Sequence, residues 1–156
     1  MADFWQVTAI DVGLRNFAWC TLNPQDIVAH DKIDLWAPAP GRRRHPTRTD
    51  LVRITRDWCL THGALLAASD RIVLEHQLRQ PFILMNTVIQ TLYYDKVVIV
   101  HPMTVGAHFK LPAKREAKKA KGIEVAQAHG VHLPAGKQDD LADAWLMAKW
   151  QLGVLG

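Results

Sequence analysis

The chain has 156 residues, of which 49% are apolar and 22% are charged, and its formal net charge is +4. This length and composition exclude wholesale disorder and leave room for one hydrophobic core, so we expect residues 1–156 to form a single domain. Charged residues or histidines break every apolar stretch before it reaches the roughly 20 residues of a membrane-spanning helix, so we expect no membrane partner.

The first third of the chain predicts three short strands. Apolar and β-branched residues fill 5–12, a second apolar run covers 16–22, and residues 27–35 alternate between apolar and polar types. The turns around 13–15 and 23–26 are short, which favours an antiparallel meander. A loop rich in Pro, Gly and Arg follows over 38–46.

The rest of the chain predicts helices alternating with strands. Thr49 or Asp50 is expected to cap a helix whose apolar positions continue to Leu66. After it we expect a strand, a helix, a buried strand, a lysine-rich helix and a closing helix, over 71–75, 82–94, 97–100, 112–129 and 141–152. Three antiparallel strands followed by βαβ units predict an α/β fold with a mixed five-stranded sheet flanked by helices.

Three places hold carboxylates that the apolar pattern does not explain. Asp11 interrupts the first strand on the face of Val7 and Ala9, Glu75 closes a later strand, and three acids begin the last helix, namely Asp139, Asp140 and Asp143. In that helix either 139 and 143 or 140 and 143 can share one face. Each acid also has an ordinary explanation, such as a salt bridge, a solvated strand end or an interaction with the helix dipole.

Taken together, the acids predict a cation site. If the two strands are neighbours, their carboxyl ends converge with the helix and gather four carboxylates, which repel one another unless divalent cations neutralise them. Oxygen ligands favour Mg²⁺ or Mn²⁺ over zinc. Two such ions about 4 Å apart would activate a water and stabilise the leaving oxygen in phosphodiester hydrolysis.

The positive charge is concentrated in two windows of the sequence. Twelve of the 19 Lys and Arg residues lie there, namely Arg42, Arg43, Arg44, Arg48, Arg53 and Arg56, then Lys110, Lys114, Arg115, Lys118, Lys119 and Lys121. Two such concentrations indicate a polyanionic partner, most often nucleic acid, although charge alone equally allows two solvated basic faces.

The cysteines and the start of the chain bear on localisation. Cys20 and Cys59 lie in separate apolar patterns, with no CxxC motif and no His at ligand spacing. The start shows neither a signal-peptide pattern nor a transit-peptide pattern. We therefore expect reduced core thiols in an intracellular, reducing compartment.

The acidic motifs resemble those of a known family. Residues 9–20, AIDVGLRNFAWC, resemble the first hairpin of RuvC-like Holliday junction resolvases, within the ribonuclease H-like superfamily. Residues 73–77, VLEHQ, resemble the second acidic motif, and residues 137–144, KQDDLADA, resemble the last motif of the poxvirus and mitochondrial branches. The first string also suits sugar kinases and actin-like ATPases, but these need a second domain for which 156 residues leave no room.

This resemblance implies a ribonuclease H-like fold and a homodimer that makes paired nicks across a four-way DNA junction with Mg²⁺ or Mn²⁺, two ions per active site, and no nucleotide cofactor. It implies catalytic metal ligands at Asp11, Glu75, Asp140 and Asp143, with Asp139 as a residue that either supports these ligands from outside or caps the helix. DNA-backbone contacts are expected from the loop and from the basic arm, namely Arg42, Arg43, Arg44, Lys114, Lys118 and Lys119. The compact start resembles viral or phage members, which suggests the cytoplasm or a viral replication site.

Several alternatives stay open at this point. The same fold would serve a nuclease for RNA–DNA hybrids or structured RNA, or a non-catalytic junction-binding module. Leu78 or Phe82 is a candidate for the residue that wedges into the junction in several relatives, although Phe82 also suits a helix core. One group of large apolar residues suggests either a dimer surface or internal packing. It consists of Trp145, Trp150 and Leu152 near the end of the chain, together with Trp58.

Overall fold

A computed structural model describes residues 5–155; residues 1–4 and Gly156, which the predicted single domain includes, lie outside it. The strands are β1 Val7–Asp11, β2 Phe17–Leu22, β3 Ile27–Ile33, β4 Arg71–Glu75 and β5 Val97–Val100. The helices are α1 Arg48–Thr61, α2 Gly63–Ala68, α3 Gln80–Leu92, α4 Pro102–His108, α5 Arg115–Ala128 and α6 Gln138–Leu155. In this part of the chain no helix has the length and apolar character needed to cross a membrane.

The five strands form one sheet in the order β3-β2-β1-β4-β5. β2 pairs antiparallel with both β1 and β3, whereas β4 pairs parallel with β1 and β5. The predicted mixed five-stranded sheet is therefore confirmed. Since β1, β3, β4 and β5 run in the same direction, their carboxyl ends meet at one edge, which we call the carboxyl edge.

Alternation along the central strand β1 divides the core into two layers. Val7 and Ala9 belong to the layer under α6, while Ile10 belongs to the opposite layer under α1 and α3. The predicted apolar stripe of the closing helix lies in the first layer, where its members are buried: Leu141, Ala144, Trp145, Ala148 and Leu152. By the same alternation Asp11 follows Val7 and Ala9 onto the α6 side.

The first helix differs from its prediction at both ends. Its N-cap is Thr47, not Thr49 or Asp50, because the Thr47 hydroxyl accepts a hydrogen bond from the Asp50 amide and Asp50 Oδ2 accepts one from the Thr47 amide. This reciprocal pair is a capping box. The helix ends at Thr61, and Leu66 belongs to the separate short helix α2, since the backbone at His62 leaves helical geometry.

The region after β4 also departs from the pattern. β5 has the predicted bounds but is not fully buried: among residues 5–155 it pairs with β4 alone, and Ile99 is 40% exposed at the sheet edge. Helix α4 was not predicted, although Pro102 at its start and the His101 ring, which accepts a hydrogen bond from the Met103 amide, are ordinary initiation signals.

The tryptophans do not form one cluster. Trp58 of α1 is buried against the sheet, where its ring centroid lies 4.7 Å from that of Phe17, whereas Trp145 and Leu152 are buried in the layer on the opposite face of the sheet. The idea that these side chains supply a dimer surface is therefore wrong for Trp58 and Trp145. Their apolar surfaces pack inside the protein.

Candidate active site

Asp11 and Glu75 end neighbouring parallel strands at the carboxyl edge. Ile10 is paired with Leu74, so one step further along both strands places the two acids side by side. The chain must turn at once after Asp11, and a Cβ on Gly13 would lie only 2.5 Å from the Asn16 carbonyl oxygen. Glycine at 13 is thus required by the turn that leaves Asp11 at the end of its strand.

Helix α6 adds two further acids from its first turns. Burial, together with repulsion from the nearby carboxylates of Glu75, Asp140 and Asp139, raises the pKa of Asp143 to about 7. Burial also raises the pKa of Asp11 well above its ordinary value, with added repulsion from Asp143 and Glu75. The structure therefore brings the four predicted acids within range of mutual repulsion.

Three of these carboxylates lack hydrogen-bond donors. Within residues 5–155, no group donates a hydrogen bond to the side chains of Asp11, Glu75 or Asp143. Burial raises the pKa of Glu75, while the charges of Lys118 and His101 act in the opposite direction. Partly buried acids that repel each other and have no donors are costly for a fold unless they serve a ligand.

Asp140 and Asp139 have different partners. Asp140 pairs with Lys32 of β3, at 2.5 Å between Oδ2 and Nζ, whereas Asp139 pairs with Lys119 of α5 at 2.9 Å. Of the two, only Asp140 lines the same cleft as Glu75 and Asp143. The two alternatives that helical spacing left open are thus separated by position: Asp140 faces the cleft and Asp139 lies beside it.

The cleft has acids on one side and cations on the other. It has a volume of about 280 Å³, and α5 contributes the cationic wall, formed by Arg115, Lys118 and Lys119. Lys118 passes close to Gly106 of α4, with Nζ 3.5 Å from where a Cβ would lie. Lys114 does not line the cleft; it is the N-cap residue of α5. An anionic substrate and a divalent cation would therefore both find complementary charge here.

The donor set fits a hard divalent cation. Its members are all carboxylates, which suits Mg²⁺ or Mn²⁺ better than zinc. As the side chains stand, no three Asp, Glu, His or Cys residues within 5–155 are close enough together to form a complete cation site. The ion pair with Lys32 engages one carboxylate oxygen of Asp140.

The Pro-, Gly- and Arg-rich loop over 38–46 follows β3, which ends at the same carboxyl edge. There the Leu35 amide donates a hydrogen bond to the Leu14 carbonyl. The Arg42 guanidinium lies 4.4 Å from the Trp36 ring centroid and donates to the Ala37 carbonyl. The Trp36 indole in turn donates to the Arg43 carbonyl. Arg42 therefore holds the loop in shape, while Arg43 and Arg44 are exposed. None of the three lines the acidic cleft.

The candidate wedge residues differ in exposure. Leu78 is 84% exposed in the segment that follows Glu75, whereas Phe82 is partly buried and packs against the core under α3. Two residues that contact the candidate acids were not predicted from the sequence. Lys32 pairs with Asp140, and Asn86 of α3 donates a hydrogen bond to the Glu75 carbonyl at 3.0 Å.

Comparison with known proteins agrees with the motifs. The family model described as Poxvirus A22 protein matches residues 6–152, while no curated protein sequence matches significantly. The fowlpox virus resolvase, solved with Holliday junction DNA, superposes with a TM-score of 0.66 at 19% identity, over 96% of this chain and 98% of that one.

Two further resolvases have the same fold. The yeast mitochondrial Holliday junction resolvase Ydc2 superposes with a TM-score of 0.70 at 14% identity, over 94% of this chain and 78% of that one. Thermus thermophilus RuvC, solved with a Holliday junction substrate, gives 0.60 at 13% identity over 94% of both chains. The resemblance to RuvC-like resolvases and the ribonuclease H-like fold are thereby confirmed. Since the family model matches almost the entire sequence, the chain belongs to the Poxvirus A22 protein family.

Proposed function

We propose that this protein is a metal-dependent, structure-selective DNA endonuclease that resolves Holliday junctions by paired symmetric nicks. The observation that carries the proposal is the meeting of Asp11, Glu75, Asp140 and Asp143 at the carboxyl edge, opposite a cationic wall. The fowlpox and Thermus proteins that share the fold were solved with junction DNA, which supports the choice of substrate.

The four acids would hold Mg²⁺ or Mn²⁺, and two ions per site suit the carboxylate count. When bound, such ions supply an activated water and stabilise the departing 3′ oxygen of the phosphodiester. The chain's own part is to orient the phosphate. Lys118 and Lys119 face the acids across the cleft and would bind the scissile strand, offsetting negative charge that develops at phosphorus.

Binding outside the cleft would rest on the DNA backbone. Arg43 and Arg44 are exposed on a loop that Arg42 and Trp36 hold in place, and Lys114 begins the helix of the cationic wall. An enzyme that recognises branch geometry needs mainly such phosphate contacts. Symmetric nicking of two strands needs two active sites, so we propose a homodimer of single-domain subunits.

Two buried free cysteines, Cys20 and Cys59, are consistent with a reducing compartment. Membership of a poxvirus family favours the cytoplasmic site of viral DNA replication. As part of the same proposal, we infer that the protein acts in a reducing compartment, at the cytoplasmic site of viral DNA replication.

The decisive experiment is cleavage of a synthetic four-way junction in Mg²⁺, with each strand end-labelled in turn. We expect nicks at symmetric positions in two opposing strands. Asp11→Asn is expected to abolish cutting and to preserve or tighten junction binding, because a negative charge near the phosphate is lost. Asp57→Asn, at an exposed acid of α1, is the matched control and should cut normally.

The outcomes separate the alternatives. Nicking by Asp11→Asn at the unmodified rate would contradict the role of that acid. Faster cutting of a sequence-matched RNA–DNA hybrid than of the junction would favour the hybrid nuclease. Junction binding without any cutting, and without Mn²⁺ binding by calorimetry, would indicate a non-catalytic binding module.

A further inference from the structure

Lys32 lies in the same row across the sheet as Asp11. Asp11 of β1 is paired with Ala18 of β2, and Ala18 is paired with Lys32 of β3. Residues in one row point to the same face of a sheet, so the Lys32 side chain lies on the side covered by α6. The row therefore places a cation two strands away from the central acid, with only the small Ala18 between them.

The Lys32 ammonium is held inside the site. Its side chain is 13% exposed, and Nζ contacts both Asp140 Oδ2 and the Gly136 carbonyl, the latter at 3.2 Å. A lysine with so little solvent needs a counter-charge, and Asp140 supplies it. The same contact pairs one of the four proposed metal ligands with a positive charge that belongs to the protein.

We propose that Lys32 is a built-in counter-charge of the carboxylate cluster that weakens divalent-cation binding and lowers the repulsion of DNA phosphate. This inference rests on the proposed function, since it concerns the affinity of that site for its ions. Lys32 lowers the net negative charge of the cluster by one, whatever the protonation of its carboxyl groups. An arriving divalent cation therefore meets less attraction, and a phosphate meets less repulsion.

Lys137 provides a matched control. Its Nζ lies 2.9 Å from Asp31 Oδ1, so this pair also joins β3 to the segment that begins α6. Both side chains of that pair are more than 40% exposed, and neither residue lines the cleft. Lys137→Met thus removes one positive charge and one link between the same two elements, without touching a proposed ligand.

The test is calorimetric titration with Mn²⁺ of the unmodified protein and three variants. Lys32→Met is expected to bind Mn²⁺ about tenfold more tightly, because a nearby like charge is removed. Lys137→Met and Lys32→Arg should each stay within about twofold of the unmodified protein. In EDTA, Lys32→Met should bind a four-way junction at least threefold more weakly than Lys137→Met does.

Unchanged or weaker Mn²⁺ binding by Lys32→Met overturns the inference, because a residue that only links β3 to α6 would behave in that way. If the methionine variant loses its cooperative thermal transition, Lys32→Gln replaces it, since the amide is neutral and can still donate to Asp140. Failure of the inference alone leaves the unmodified protein binding Mn²⁺ and cutting junctions. If the unmodified protein does neither, the proposed function fails and the inference fails with it.

Discussion

Asp143 should destabilise the folded protein at pH 8 in EDTA, and Asp143→Asn should remove that penalty. Burial and the neighbouring acids raise the pKa of this carboxyl from 3.8 to about 7. Between these values the folded protein keeps a proton that the unfolded chain releases, so stability falls as pH rises through this range. At pH 5 the carboxyl is neutral in the fold, and the amide is close to isosteric with it.

The size of the effect follows from the two pKa values. A difference of about three units corresponds to an upper limit of about 4 kcal/mol, at 1.36 kcal/mol per unit. Asp143 is partly exposed, and we expect solvent screening to reduce this to about 2 kcal/mol. For a domain of this size, such a change corresponds to a shift in Tm of roughly 4–8 °C.

The assay is thermal unfolding followed by circular dichroism in EDTA, at pH 5 and pH 8. The difference in Tm between the variant and the unmodified protein is free of contributions from histidines and acids that titrate alike in both. We expect a higher Tm for Asp143→Asn at pH 8 and a clearly smaller difference at pH 5, where only part of the range between the two pKa values has been crossed, while Asp57→Asn shows no such change. Mn²⁺ should reverse the order by stabilising the unmodified protein.

A variant Asp143→Asn that is no more stable than the unmodified protein at pH 8 in EDTA would contradict this prediction. A stability advantage of the variant that is as large at pH 5 as at pH 8 would contradict it as well. In either case burial and the neighbouring acids would not be raising the pKa of Asp143 in the folded protein.

Two further substitutions probe the supports of the site. Gly13→Ala should lower the free energy of unfolding in urea by about 1–3 kcal/mol, because the new Cβ meets the Asn16 carbonyl at 2.5 Å. Gly153→Ala, where a Cβ meets nothing within 4 Å, should not destabilise. Asn86→Ala removes the hydrogen bond to the Glu75 carbonyl and should lower kcat on a junction about tenfold with junction affinity unchanged, measured by single-turnover cleavage and gel shift. Equal loss of affinity and rate would contradict a positioning role for Asn86.

Local patterns were enough to predict the centre of the fold. Five strands and most helices follow from apolar periodicity, and strand β4 has the predicted bounds 71–75. Asp11 was identifiable because it interrupts a predicted apolar strand and Glu75 because it closes one, and the apolar pattern explains neither acid. Their convergence then required only that the two strands be parallel neighbours, which the βαβ order favours.

Features that depend on long-range pairing were missed. The exposure of Ile99 follows from β5 being an edge strand, which its four apolar residues do not reveal. Lys32 and Asp140 are 108 positions apart in the sequence. The ion pair between them depends on the register of three strands and on where α6 packs on the sheet. No periodicity of β3 distinguishes Lys32 from a solvent-facing lysine.

Ala18 shows how the sheet order and the chemistry depend on each other. It is fully buried between Asp11 and Lys32 in the row, on the side of the sheet that α6 covers. A larger side chain there would hold α6 away from the sheet and with it Asp140 and Asp143. The small residue therefore lets an acid-bearing helix lie over a strand that carries no charge of its own. With the acids of β1 and β4 on one side and the lysine of β3 on the other, the charges of the site are ordered by strand position.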